Sequence, residues 1–204
     1  MTKLDLKKEM RFLYHATRSP QLVQVPPLNI LAIDGQGNPN TSIGYQQAVE
    51  ALYSVSYTLK FMHKQRLDSH DYTVLPLEAH WWVPDMTKFS LQDKDAWCWT
   101  VMIVQPDFIT EDDFELAKER LQKKGKDLPA LPFMRLERFE EGAAAQVLHL
   151  GPYDTEGPTI KSLHEFISEQ GLTLSGKHHE IYLSDPRRTA PEKLKTIIRQ
   201  PVCK

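Results

Sequence analysis

The chain has 204 residues, 41% hydrophobic and 25% charged, enough apolar material for a full core in one large domain or two small packed halves. A net charge of −2 gives no global field toward nucleic acid or an anionic membrane. Two cysteines, Cys98 and Cys203, are too few for a disulfide framework or a cysteine-based zinc site.

Residues 1–27 read as an N-terminal arm. "MTKLDLKKEMRFLYHATRSP" alternates charged and apolar residues and lacks the continuous apolar core of a signal peptide. No stretch approaches a membrane span, so no membrane partner and a cytoplasmic location are expected. "LDLKKEMRFLY" suits a short helix or an edge strand, before Pro20, Pro26 and Pro27 break regular structure. The arm is too short for a helix-turn-helix domain with its linker. It could instead pack on a neighbouring copy to form a homodimer.

"LNILAIDGQGNP" is a short apolar strand ending in the turn glycines Gly35 and Gly37. The third glycine of a dinucleotide fingerprint is missing, so a plain turn is the better account. A long amphipathic helix follows in "NTSIGYQQAVEALYSVSYTLKFMHKQR". Asn40, Thr41 and Ser42 are candidate caps, and Ala48, Leu52, Val55 and Leu59 recur at helical spacing. "YTVLPLEAHWWVPD" reads as a strand with Leu75, Leu77, Ala79 and Trp81 on one face and Glu78, His80 and Trp82 on the other. "AWCWTVMIVQP" is a second strand, ended by Pro106.

"TEDDFELAKERLQKKGKD" is a capped helix, acidic at its start, basic at its end and closed by Gly125. "MRLERFEEGAAAQVLHLGPY" holds one or two strands, and "TEGPTIKSLHEFISEQG" is a helix closed by Gly171. In "SGKHHEIYLSD", Ile181 and Leu183 take one strand face, leaving Glu180 and Tyr182 on the other. "KLKTIIRQPV" is the last strand.

The order repeats. Residues 28–106 and 143–204 both run strand, turn, helix, strand with a glutamate, strand, joined by a connecting segment at 107–142 that carries the capped helix. The fold class is therefore α+β: two tandem strand-helix-strand-strand modules in a pseudo-twofold arrangement, with helices on one face of the sheet. Glu78 and Glu180 are expected at pseudo-equivalent positions, facing the surface the helices leave open.

Metal motifs fail. His178 and Glu180 form an H-x-E pair without the P-C-x-x-C partner of zinc deaminases. "LHEFIS" starts like a zincin helix but has Ser168 in place of the second histidine. Cys98, inside an aromatic strand, reads as a buried apolar residue. The basic cluster of "KHH", Arg187 and Arg188 reads as a solvated loop.

The stretches "LDLKKE", "LAIDGQGNP", "QQAVEALYSVSYTLKF", "PLEAHWW", "HLGPYDTEGPTI" and "HHEIYLSDPRRTAPEKLKTIIRQPV" cover almost the whole chain. Together they resemble the GyrI-like small-molecule-binding family, in its stand-alone branch without a DNA-binding domain. That branch is related to cyclopropanoid cyclopropyl hydrolases and to the effector-binding fold of multidrug-responsive regulators. The resemblance implies a cleft for hydrophobic, often cationic or planar compounds, lined by a buried glutamate and aromatics. The family more often carries an apolar residue where this chain has His80.

Taken alone, Glu180 reads as a solvated strand glutamate, and Tyr182 as a cross-strand packing residue. The resemblance turns Glu180 into a general base with a raised pKa or a counter-charge to a cationic ligand, and Tyr182 into a hydrogen-bond donor to a ligand carbonyl. Glu78 and His80 join the expected ligand-binding set. Trp82 is assigned to the cleft and Trp81 to the core. Trp97 and Trp99 share one strand face, and Trp99 is counted with the ligand-binding residues although the sequence does not say which face it is. Tyr53 and Tyr57 lie one turn apart, where helix packing is the simpler role; Tyr57 is nonetheless included in the ligand-binding set.

The expected partner is a hydrophobic planar small molecule, with no direct nucleic-acid contact. The expected activity is hydrolysis of cyclopropane-bearing DNA-alkylating compounds by glutamate-activated water, without a metal or organic cofactor. The alternative is a non-catalytic drug-sequestering or effector-binding module. A third reading, direct inhibition of a topoisomerase, rests on fold analogy alone.

Overall fold

The computed structural model describes residues 3–66, 71–88 and 93–204. The arm contains β1 (Lys3–Leu4), the single-turn helices α1 (Leu6–Glu9) and α2 (Arg11–Tyr14), and β2 (Gln21–Val25). The first module comprises β3 (Leu28–Gln36), α3 (Ile43–Lys64), β4 (Asp71–Tyr72), β5 (Glu78–Trp82) and β6 (Cys98–Gln105). The connecting segment carries α4 (Glu111–Lys123) and β7 (Arg135–Phe139). The second module comprises β8 (Gly142–Leu150), α5 (Gly157–Glu169), β9 (Thr173–Leu174), β10 (His178–Tyr182) and β11 (Lys195–Cys203).

The main sheet runs β2-β8-β11-β10-β5-β6-β3-β7, with β9 added to β11, and its pairings are antiparallel. In each module the last strand lies between the other two, giving β8-β11-β10 and β5-β6-β3. The modules meet where β10 pairs with β5, so the two halves mirror each other in strand order, as the repeat in the sequence implies. The fold is α+β.

Local sequence accounts for the helices. The Ser42 hydroxyl accepts the Tyr45 N–H at 3.2 Å and starts α3. Ala48, Ala51, Leu52, Val55, Leu59 and Met62 then form its buried stripe against Leu31, Ile33, Val101 and Ile103 of the sheet. α4 begins with a capping box between Thr110 and Asp113. β7 and β8 are two strands, turned at Gly142, whose φ of 76° favours glycine.

The two sheet faces are covered differently. One receives α3 and α4 over one cluster, and α5 over a second formed by Ala145, Val147, Leu163, Ile167 and Ile198. The other is covered by the arm, whose Leu6, Leu13, Tyr14 and Ala16 pack on Ile30, Ala32, Met102, Ile181 and Ile197. The face expected to stay open is therefore closed, and the arm also extends the sheet through β2. In "YTVLPLEAHWWVPD" the central-sheet strand is only Glu78–Trp82, because Pro76 has no N–H for a ladder. Leu75 accordingly leaves the period and joins the arm-side cluster, while Leu77, Ala79 and Trp81 face α3. Among the described residues no helix is long and apolar enough to cross a membrane.

Candidate functional site

β10 supplies the centre of the site. Glu180 pairs with Ala79 of β5 and Ile198 of β11, both packed beneath the helices, so its side chain rises on the helix face. There it is buried, at 7% exposure. Both carboxylate oxygens are engaged. Tyr182 Oη donates to Oε2 at 2.7 Å, and His178 Nε2 meets Oε1 at 3.1 Å. Trp81 Nε1 donates to Tyr182 Oη at 3.2 Å, which orients the phenol.

Aromatic rings build the walls. Tyr45 from α3 stacks on Trp81 at 5.8 Å and meets Trp99 edge-on at 5.3 Å. Trp97 tilts against Trp81 at 5.2 Å, and Tyr153 meets Tyr182 edge-on at 5.6 Å. The cleft has a volume of about 1900 Å³ and opens outward along α3 past Tyr53, Tyr57 and Phe61. Those three rings stack in sequence at 6.3 and 6.4 Å.

Glu156, which the sequence reading passed over, shares the floor. It is the residue preceding α5, yet its side chain makes no cap hydrogen bond and is 2% exposed. Burial, then repulsion from Glu180, pushes its carboxyl far above the usual range, so it holds a proton at neutral pH. The pull of the α5 N-terminus on an anion, at most ~2 kcal/mol, does not offset that desolvation. Glu180 moves the other way. Burial alone would raise it, but hydrogen bonds from His178 and Tyr182 hold it below its ordinary value. The raised pKa expected of Glu180 thus belongs to Glu156. Burial and the neighbouring Glu180 charge push the Tyr182 hydroxyl well up, keeping it a donor. The Glu156 carboxyl lies in hydrogen-bonding contact with Glu180 and with the Thr196 hydroxyl, all three buried. A single chemical feature of the sequence pointed to Glu156: a carboxylate directly before the Gly157-Pro158 helix start, where serine or threonine is the usual cap.

The remaining expected residues divide between two faces. Glu180, Tyr182 and Tyr57 line the cleft. Trp99 lies on the helix face behind Tyr45, in the wall rather than on the lining, and Trp97 reaches the lining. Glu78, His80 and Trp82 do not reach the cleft. Glu78 pairs with Ile181 and His80 with His179, which places them on the arm face. Glu78 is therefore not the counterpart of Glu180; Ala79 lies opposite Glu180 instead, because side chains alternate strictly along both strands. Trp81 and Trp82 exchange the places expected of them. Trp81 lines the cleft, and Trp82 lies across the sheet beneath Lys177 Nζ, 3.3 Å from its ring centre. The expectation took the cleft to be on the face without helices; it lies between the helices.

On the arm face Glu78, His179, Glu141 and Arg199 form a buried ionic network. His179 Nε2 meets Glu78 at 3.0 Å and Nδ1 meets Glu141 at 2.8 Å, while Arg199 reaches Glu141 at 3.2 Å. Tyr14 Oη donates to Glu78 at 2.7 Å, and Arg199 donates to the Leu13 carbonyl at 2.8 Å, so the network ties down the arm.

A family model described as the GyrI-like small molecule binding domain matches residues 18–202. A solved protein of Listeria innocua, described as an uncharacterized conserved protein, is 43% identical with a TM-score of 0.92, over 98% of this chain and all of that one. A second Listeria innocua structure, described as a hydrolase, is 44% identical with a TM-score of 0.89, over 99% of this chain and all of that one. The EcmrR C-terminal domain shares the fold at 12% identity and a TM-score of 0.56, over 91% of this chain and 98% of that one. The comparison with curated proteins finds no match. With the match spanning both modules, and the cleft lying between their helices, the chain belongs to the GyrI-like small-molecule-binding family.

Proposed function

We propose that this small-molecule-binding domain is a hydrolase that opens a strained, electrophilic ring, such as the cyclopropane of a planar DNA-alkylating compound. The observation that carries the reading is the buried carboxyl pair on the aromatic floor: Glu180 holds hydrogen bonds from Tyr182 and His178, Glu156 is 2% exposed without a cap hydrogen bond, and burial and repulsion drive their pKa values apart. Two carboxyls driven apart in this way suit a base and an acid. The description of the 44%-identical Listeria innocua protein as a hydrolase supports the same direction.

In this reading the ligand lies against Trp81, Tyr45 and Tyr153. Glu180 takes a proton from a water whose oxygen attacks the cyclopropane methylene. The carbon–carbon bond breaks, and its electron pair passes through the conjugated ring to the carbonyl oxygen. Glu156 delivers its proton to that oxygen, so the product is the substrate plus one water. The adjoining carboxyls then exchange their proton and restore the starting state. Tyr182, oriented by Trp81, gives its one proton to Glu180 and holds that carboxylate in place.

The test is product analysis by mass spectrometry after incubation with a cyclopropane-bearing duocarmycin-type compound. Wild-type protein is expected to give a mass gain of one water. Glu180→Gln should lower the rate at least ~10²-fold, the usual contribution of a general base. Undiminished turnover by Glu180→Gln would remove the base from this residue. Tight binding without product would leave a sequestering module that uses Glu180 as counter-charge.

A further inference from the structure

The arm face carries a cluster of titratable groups that the ring-opening reading does not use. His80 of β5 and His179 of β10 are direct partners in the register, with rings edge to face at 4.5 Å. Glu141, in the β7–β8 turn, reaches His179 Nδ1. One ligand atom from each of His80, Glu141 and His179 lies within 4.8 Å of the others.

His80 is the odd member. It is 7% exposed and makes no hydrogen bond among the described residues, whereas both nitrogens of His179 are engaged. Its ring nitrogens are thus the ones in the cluster open to an added ligand. Its small exposure is also the cluster's contact with solvent, because the side chains of His179 and Glu141 are 0% and 1% exposed.

We infer that His80, His179 and Glu141 form a binding site for a zinc-like divalent cation, separate from the ligand cleft. The ion takes the position of the proton between His179 Nδ1 and Glu141 Oε1, and His80 supplies the third ligand. His179 keeps its Nε2–H on Glu78, the carboxylate–histidine arrangement that fixes the tautomer of metal-bound histidines. Glu141 keeps its other oxygen on Arg199, which is itself held by Gln146 and the Leu13 carbonyl. Two ligands on a tetrahedral zinc stand roughly 3.3 Å apart, given bonds of about 2.0–2.1 Å. The 2.8 Å His179–Glu141 contact therefore opens by about half an ångström. Two imidazoles and one carboxylate leave the fourth position to water. The Arg199 charge opposes the ion, while Glu78 and Glu141 favour it, so the site is reversible rather than a locked structural one.

The experiment titrates Co²⁺ into chelator-treated full-length protein and records visible absorption, then displaces it with Zn²⁺. One equivalent is expected to give a saturable band of nitrogen–oxygen ligation that Zn²⁺ removes. His80→Ala should abolish it, with at least a ~100-fold loss of affinity. That variant removes a ring outside the ion pairs, so its far-UV circular dichroism should stay native. No saturable binding by wild type, or binding unchanged in folded His80→Ala, overturns the site. If His80→Ala does not fold, His80→Phe serves as the second variant, with loss of the band expected and its retention overturning the proposal.

Discussion

A Cβ added to Gly35 would fall 2.1 Å from Trp99 Cη2 and 2.2 Å from Cζ2, far inside contact distance. The indole lies flat over the β3 backbone only because that position has no side chain. Trp99 supports Tyr45, and Tyr45 stacks on Trp81 in the cleft wall. Gly35→Ala should therefore displace the ring and cost about 1–3 kcal/mol, the usual range for overpacking. Urea unfolding should show a lower midpoint with an unchanged slope. An unchanged midpoint would mean that Trp99 has room to move, contrary to the packing described. Gly35 is expected in the turn after its strand but lies inside β3, and its role under a tryptophan was not legible because that contact joins residues 64 positions apart.

At the scale of elements, helix starts show where sequence speaks plainly and where function overrides it. Thr110 Oγ1 accepts the Asp113 N–H at 3.3 Å, and Asp113 accepts the Thr110 N–H at 3.1 Å while also receiving Arg66. Burial would raise the Asp113 carboxyl, but these hydrogen bonds bring it below its ordinary value. Thr110→Ala should cost about 1 kcal/mol. Thermal unfolding measures this, and no change in midpoint would show that the capping box contributes nothing. α5 has the opposite design, since Glu156 at its start turns its carboxyl into the cleft instead of capping.

The same contrast explains what the sequence made visible. α3 and α4 were legible from caps and a 3.6-residue period, and β10 from its alternation. β5 was misjudged because only five residues of it are strand and the flanking Pro76 breaks the alternation. Strand parity separated Glu180 from Ile181 correctly. It could not say which face the arm closes, because that depends on Tyr14 reaching Glu78, 64 residues away. Glu78, His80 and Trp82 lie on the helix-free face expected of them; it is the cleft, with Glu180, that lies on the other face.

For the whole molecule, the protonated Glu156 carries a consequence for stability. Its folded pKa lies above that of the unfolded chain, so the native state binds more protons than the unfolded state above about pH 4.5. Stability from this group is present below that pH and is lost steadily as pH rises toward its raised folded pKa. Glu156→Gln keeps the neutral form and removes the slope. The variant should be more stable than wild type at pH 8, by up to ~5 kcal/mol at about 1.4 kcal/mol per pH unit, and nearly equal to it at pH 4.5. Equal stability of the two proteins at pH 8 would show that Glu156 is ionised in the fold. A more stable variant that has lost turnover would mark Glu156 as a group whose burial serves the site rather than the fold.

The ligand cleft lies on the helix face, floored by Glu180 and walled by Trp81. Tryptophan fluorescence, recorded while a planar aromatic cation is titrated into wild type, Trp81→Phe and Trp82→Phe, tests this directly. Quenching should persist in Trp82→Phe, whose indole lies across the sheet, and fall sharply in Trp81→Phe. Loss of quenching in Trp82→Phe with retention in Trp81→Phe would place the ligand on the arm face and contradict the account.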